Sequence, residues 1–174
     1  MVEVVRVEPA LQGSEAELIR GFLDYQRATF VQKINGLDRV QLGQRVASSE
    51  LTLAGLTKHL ALVEDSWFQE RFLGRGEQEP WASAPFDDDP DWEFHSALDD
   101  EPTSLVGLYE AACDRSRIAV DGAQSFDQLS AQADRKTGER FNLRWIMLHL
   151  IEETARHNGH ADLLREAIDG AAGE

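Results

Sequence analysis

Hydrophobic residues recur at three- and four-residue steps in four stretches of this chain, and each stretch reads as an amphipathic helix. The first opens at Ser14, where Ser14 and Glu17 have the S-x-x-E spacing in which each side chain caps the other's backbone N–H. Leu18, Ile19, Phe22, Leu23, Gln26, Phe30 and Ile34 then follow the helical period, and Gly36 is its expected stop. The second runs from about Thr52 to Gly74, with Leu53, Leu56, Leu60, Val63 and Trp67 on one stripe. The third starts near Glu101–Pro102, a proline suited to a first helical turn, and carries Leu105, Leu108, Ala112, Ser116 and Ala119 to Gly122. The fourth runs from Asn142, an N-cap residue, to Ile168, with Gly170 just beyond. Between the second and third, residues 76–101 lack helical periodicity and read as a long loop over one end of the fold, with room for a helical turn, pinned by Trp81 and Trp92. Residues Leu129–Phe141 contain the turn Lys136-Thr137-Gly138-Glu139 and admit a small hairpin. The pattern predicts one all-α domain over residues 1–174, a four-helix bundle.

Charge narrows the partners. The chain has 17 basic and 32 acidic side chains in 174 residues, a formal net charge of −15. Nucleic acid and anionic membranes are recognised largely by neutralising phosphate, so both are poor partners here. The loop concentrates the acid: there is no Lys or Arg between Arg75 and Arg115, and eight acids lie from Asp87 to Glu101. Such a loop at a site's mouth would disfavour an anionic substrate. No apolar run approaches the ~20 residues that span a bilayer, and the opening MVEVVRVEPALQG lacks the basic start and apolar core of a secretory signal. The single cysteine, Cys113, excludes an internal disulfide and suits a reducing, cytoplasmic compartment. On an apolar helix, Cys113 reads as an inert core thiol, and Trp67 and Trp145 read as packing residues.

The chemistry lies on the fourth helix, WIMLHLIEETARHNGHADLL. At about 100° per residue, Ile146, Met147, Leu150, Thr154, Ala161 and Leu164 form the apolar stripe. His157 falls about 20° from its centre, Glu153 about 60°, His160 about 80° and His149 about 100°. Glu153 and His157 are one turn apart, so their side chains are neighbours. A buried carboxylate needs a partner or a cation. A metal ion would bring the two together, with His59, at the edge of the second helix's stripe, as the candidate third ligand. Zinc, iron and nickel all suit imidazole with carboxylate. A satisfied core histidine with Glu153 paired to Arg156 is the structural alternative. No H-E-x-x-H, G-x-S-x-G or P-loop signature occurs, and the single Glu-x-x-x-His lacks the duplicated Glu-x-x-His of a di-iron bundle.

The stretches GFLDYQRATF, LTLAGLTKHLALVEDSWF and FNLRWIMLHLIEETARHNGHADLLREAIDG resemble the DinB/YfiT-like metalloenzyme family. The resemblance is strongest to a subfamily of unknown function related to the mini-circle protein. It implies a four-helix bundle with up-down-down-up topology and a metal at one end of its core. The ligands it implies are His59, Glu153 and His157. Glutamate at position 153, where many relatives have histidine, is similar to the mycothiol-dependent maleylpyruvate isomerase. His160, three residues on, is implied as a pocket residue beside the metal rather than a ligand. The activity implied is a metal-dependent S-transferase or isomerase that takes a low-molecular-weight thiol, mycothiol or bacillithiol, and an electrophile. A non-catalytic, stress-related metal-binding module and a metal-dependent hydrolase with His160 as base are the alternatives. Zinc is the favoured ion. Related bundles pair through helices, so a homodimer is expected, with the N-terminal VEVVRVEP segment able to add to the contact.

Overall fold

A computed structural model describes residues 4–46 and 49–171. Residues 1–3, the start of the segment read for a leader and for assembly, lie outside it. Among the described residues there are six α-helices and one two-stranded antiparallel sheet. The helices are α1 (Glu15–Ile34), α2 (Arg39–Leu42), α3 (Leu53–Asp65), α4 (Trp92–Ser96), α5 (Pro102–Asp121) and α6 (Leu143–Asp169). Strands β1 (Leu129–Ala133) and β2 (Arg140–Asn142) form the hairpin, so the molecule is mostly helical rather than purely so. Among the described residues, no helix is long and apolar enough to cross a membrane.

The helix boundaries follow local chemistry. Ser14 and Glu17 make the reciprocal capping box, with Ser14 N–H donating to Glu17 Oε2 at 2.8 Å. Asn142 Oδ1 accepts from Trp145 N–H at 2.8 Å and caps α6, while Gly170, at φ 77°, closes it in the left-handed conformation that glycine adopts without strain. Gly36 does not itself cap α1: the helix ends at Ile34 with Asn35 as its cap, and Gly36 turns the chain immediately after. The second predicted helix is interrupted. Its α-helical hydrogen bonding ends at Asp65, and Ser66–Phe72 continues as a π-helix. The wider turn shifts the phase of the apolar stripe, keeping Phe68 and Phe72 buried. The expected loop is partly helical. It contains a 3₁₀ turn at Trp81–Ser83, α4 and a second 3₁₀ turn at Ala97–Asp99.

Packing joins α1 to α6 and α3 to both α5 and α6, with α4 resting on α3. One apolar cluster centres on Phe30, Leu56, Leu60, Leu105 and Tyr109, and another on Leu23, Phe68, Leu143, Ile146 and Leu150. Trp81 is buried and donates its indole N–H to Asp65 Oδ2 at 2.9 Å, anchoring the loop as expected. Trp92 contributes its face to the Lys58 ammonium, 4.4 Å from the ring centre. Trp67 packs against Phe141 and His149. Trp145 packs in the same group, its ring centroid 5.3 Å from Trp67 and 4.8 Å from Phe141. It is 45% exposed and stacks on His149 at the surface, because its position on α6 lies off the buried stripe.

Candidate metal centre

His157 occupies the buried face of α6 together with Ile146, Met147, Leu150, Thr154, Asn158, Ala161 and Leu164. Glu153 stands one turn earlier, half-buried, and His59 projects from α3 toward both. His157 Nε2 lies 3.1 Å from Glu153 Oε1, and His59 Nε2 lies 3.7 Å from the same oxygen. The two imidazole rings meet edge-on with centroids 5.1 Å apart. Each of the three residues offers one ligand atom, and these atoms all lie within 4.8 Å of one another. The structure therefore brings together the three residues singled out in the sequence. Two imidazole nitrogens and one carboxylate oxygen, converging from two helices, form a donor set that fits a divalent ion and leaves coordination positions open.

The surroundings tune these groups. Burial pushes the Glu153 carboxyl up, but the His157 charge and hydrogen bond outweigh it, and its pKa ends below the usual carboxylate value. Burial and the neighbouring His59 push the His157 pKa down, against the pull of Glu153. Both shifts run toward the carboxylate and the neutral imidazole, the forms in which these groups ligate metal. The structural alternative is also visible: Arg156 Nη1 lies 3.6 Å from Glu153 Oε2. That arginine also pairs with Glu152 and approaches the outer oxygen, leaving Oε1 directed at the histidines.

His160 lies outside the trio. Its Nδ1 is 3.3 Å from His157 Nδ1, on the ring edge away from Glu153. His149 is not part of the cluster; it belongs to the surface aromatic group of Trp67 and Trp145. Cys113 is buried, and burial beside Glu64 raises its thiol far above its normal value, which fits the inert core thiol expected of it.

Sequence reasoning missed Glu93. This residue of α4 is buried, and its Oε1 lies 3.0 Å from His59 Nδ1. Phe94, beside it, stacks on the His59 ring at 4.9 Å between centroids. The acidic loop thus borders the site through these two residues. The available signal was a lone acid between two aromatics, Trp92-Glu93-Phe94, in a segment otherwise rich in solvent-facing acids. Phe94 also lines a cavity of about 280 Å³ shared with Arg45, Thr52, Asp91 and Leu98.

Comparison with known proteins agrees with the geometry. No curated protein matches the chain. The sequence profile described as mycothiol-S-transferase matches residues 18–170, which include all six helices apart from the first turn of α1, and with them all three converging residues. The chain therefore belongs to the mycothiol-S-transferase family, one of the DinB/YfiT-like families.

Proposed function

We propose that this chain is an S-transferase that joins the sulfur of a low-molecular-weight thiol, mycothiol or its analogue bacillithiol, to a small electrophile. It does so at a divalent metal ion held by His59, Glu153 and His157. The observation that supports this reading is the convergence of those three donors in a member of a mycothiol-S-transferase family. Zinc is the favoured ion, with nickel and iron compatible with the same donors. When bound, the ion supplies the positive charge that makes a neighbouring thiol lose its proton near neutral pH.

The chain's own residues supply the rest. Glu153 contributes one negative charge, and His157, biased by burial toward its neutral form, contributes a nitrogen lone pair. His160, against the far nitrogen of His157, steadies that ring. Cys113 is enclosed in the core, so the reacting sulfur comes from the cosubstrate. The S–H bond of that thiol breaks and its proton passes to solvent water; the sulfur lone pair then forms a new S–C bond while the carbon–leaving-group bond of the electrophile breaks, its electron pair departing with the leaving group, bromide in the case of a bromobimane. Cobalt-substituted protein titrated with mycothiol tests the reading. The expected outcomes are a thiol-dependent change in the visible spectrum and a mass-detected thiol conjugate with an alkylating bimane. A protein that takes up metal but shows neither is a binding module, not a transferase.

The same reading extends to architecture. Residue pairs support an up-down-down-up bundle of α1, α3, α5 and α6 in a single domain. Glu15 with Arg144 and Gln26 with Asn158 run in step along α1 and α6. Lys58 with Asp100, two residues before α5, and Asp65 with Arg115 on α5 run in step along α3 and its neighbour. Asp24 with Arg117, and Arg20 with Asp121, run in opposite order along α1 and α5. A cytoplasmic homodimer fits the reducing chemistry and the apolar side chains of Phe22 on α1 and Ile118 on α5, both exposed.

A further inference from the structure

We propose that Glu93 is the positioning residue of the metal centre: it orients His59 so that Nε2 faces the ion, and the missing side chain at Gly55 lets it do so. The proposal rests on the metal-site reading above. A carboxylate can only accept a hydrogen bond, so the 3.0 Å contact between Glu93 Oε1 and His59 Nδ1 places the ring proton on Nδ1. Nε2 is then the bare nitrogen, and it is the one that faces Glu153 Oε1 at 3.7 Å. The opposite tautomer would leave a lone pair facing Glu93 and a hydrogen in the ligand position. Histidine ligands are commonly held in this way, by a carboxylate on the nitrogen that does not bind metal.

Two further observations separate Glu93 from a surface acid that happens to touch a histidine. It is only 5% exposed, and its second oxygen, Oε2, is buried with no hydrogen-bond partner. A half-satisfied buried carboxylate is costly. Glu93 and Glu153 flank His59, so two acids are gathered around the imidazoles. Of the nearby cations, Lys58 pairs with Asp100, and Arg156 pairs with Glu152 and reaches only the outer oxygen of Glu153, at 3.6 Å. A divalent cation among the ligands would balance that charge, which gives Glu93 a reason to remain buried where a purely structural role would be better served by an apolar residue.

Gly55 explains how α4 comes close enough. It lies on α3 one turn before His59. A Cβ there would sit 2.8 Å from Phe94 Cδ1 and 3.4 Å from Phe94 Cα, so the Phe94 segment rests directly on the α3 backbone. That contact seats Phe94 on the face of His59 and brings Glu93 to its edge. The imidazole is therefore gripped on two sides by consecutive residues of one short helix.

The test combines the tautomer with metal affinity. In metal-free protein, long-range ¹H–¹⁵N correlation should show the His59 proton on Nδ1; a proton on Nε2 overturns the proposal. Zinc affinity, measured by competition with a chelator, should fall about 10- to 100-fold in Glu93→Ala and in the near-isosteric Glu93→Gln. Gly55→Ala should shift it in the same direction. Asp88→Asn removes an exposed charge from the same loop and should leave it unchanged. Wild-type affinity in both Glu93 variants, or an equal loss in Asp88→Asn, refutes a specific role for Glu93. Failure of the wild-type protein to bind zinc, nickel or iron overturns the metal reading itself, whatever the variants do.

Discussion

His157 carries the most at the scale of single residues, because it is both the most buried of the three converging groups and the one contacted by Glu153 and His160. His157→Ala should abolish stoichiometric metal binding, read by elemental analysis after dialysis; full occupancy in that variant refutes the ligand assignment. His160→Ala should keep metal bound and lower turnover more than metal affinity, because that side chain touches only the far nitrogen of His157 and offers no ligand atom of its own to the cluster. Acid acts on the same residues with a definite sign. His157 has a pKa below its unfolded value of 6.5, and Glu153 one below 4.5, so the unfolded chain binds more protons than the folded one. Stability of the metal-free protein should therefore be complete above about pH 6.5 and decline as pH falls below it, first through His157 and then through Glu153. Urea titrations at pH 7.5, 6 and 5 check this; a midpoint that rises on acidification contradicts it.

Secondary-structure elements are tied to one another by buried charge as well as by apolar contact. Arg27 on α1 donates from Nε and Nη2 to the two oxygens of Glu64 on α3, both at 2.7 Å, with each residue almost wholly enclosed. Arg27→Ala leaves Glu64 as an uncompensated buried charge, and Glu64→Ala leaves the buried guanidinium with only the half-exposed Asp24, 3.0 Å from Nη1. Arg27→Ala or Glu64→Ala should cost about 3–5 kcal/mol in denaturant unfolding, whereas an apolar pair of matched volume should recover much of that loss. A loss below about 1 kcal/mol would place the pair with ordinary surface salt bridges. The α6 cap is a smaller lever: Asn142→Ala removes the acceptor for the Trp145 N–H and should cost about 1 kcal/mol.

For the whole molecule, metal binding and assembly both appear as stability. An ion that binds only the folded chain stabilises it by about 2.7 kcal/mol at a free concentration 100 times its dissociation constant. A chelator should therefore lower the melting temperature, and His157→Ala should be insensitive to it. The proposed homodimer should appear as a single dimeric species in sedimentation velocity at high micromolar concentration. Phe22→Asp with Ile118→Asp should convert it to monomer. A wild-type chain that stays monomeric at that concentration refutes the pairing.

Periodicity and end chemistry are local properties, so the sequence alone specified the long helices, the Ser14 and Asn142 caps and the core-facing side of α6. It placed Glu153 beside His157, because an i, i+4 pair is adjacent on any α-helix whatever that helix packs against. The resemblance of IEETARHNGHADLLRE and its companion stretches added His59 to them. Other features depend on which surfaces meet, and only the tertiary structure decided those. The change from α to π hydrogen bonding after Asp65 keeps Phe68 and Phe72 buried, a requirement set by neighbouring elements and invisible in the hydrophobic period. Trp145 packs on Trp67, Phe141 and His149 yet stays half-exposed, a balance its residue type alone does not carry. Glu93 is the clearest case. In sequence it is one of eight acids in a segment that reads as a solvated loop. Its burial follows from the anchoring of Trp81 on Asp65 and from the space left at Gly55, contacts between residues far apart in the chain. A carboxylate's environment is set by what folds against it, and no spacing rule along the chain carries that information.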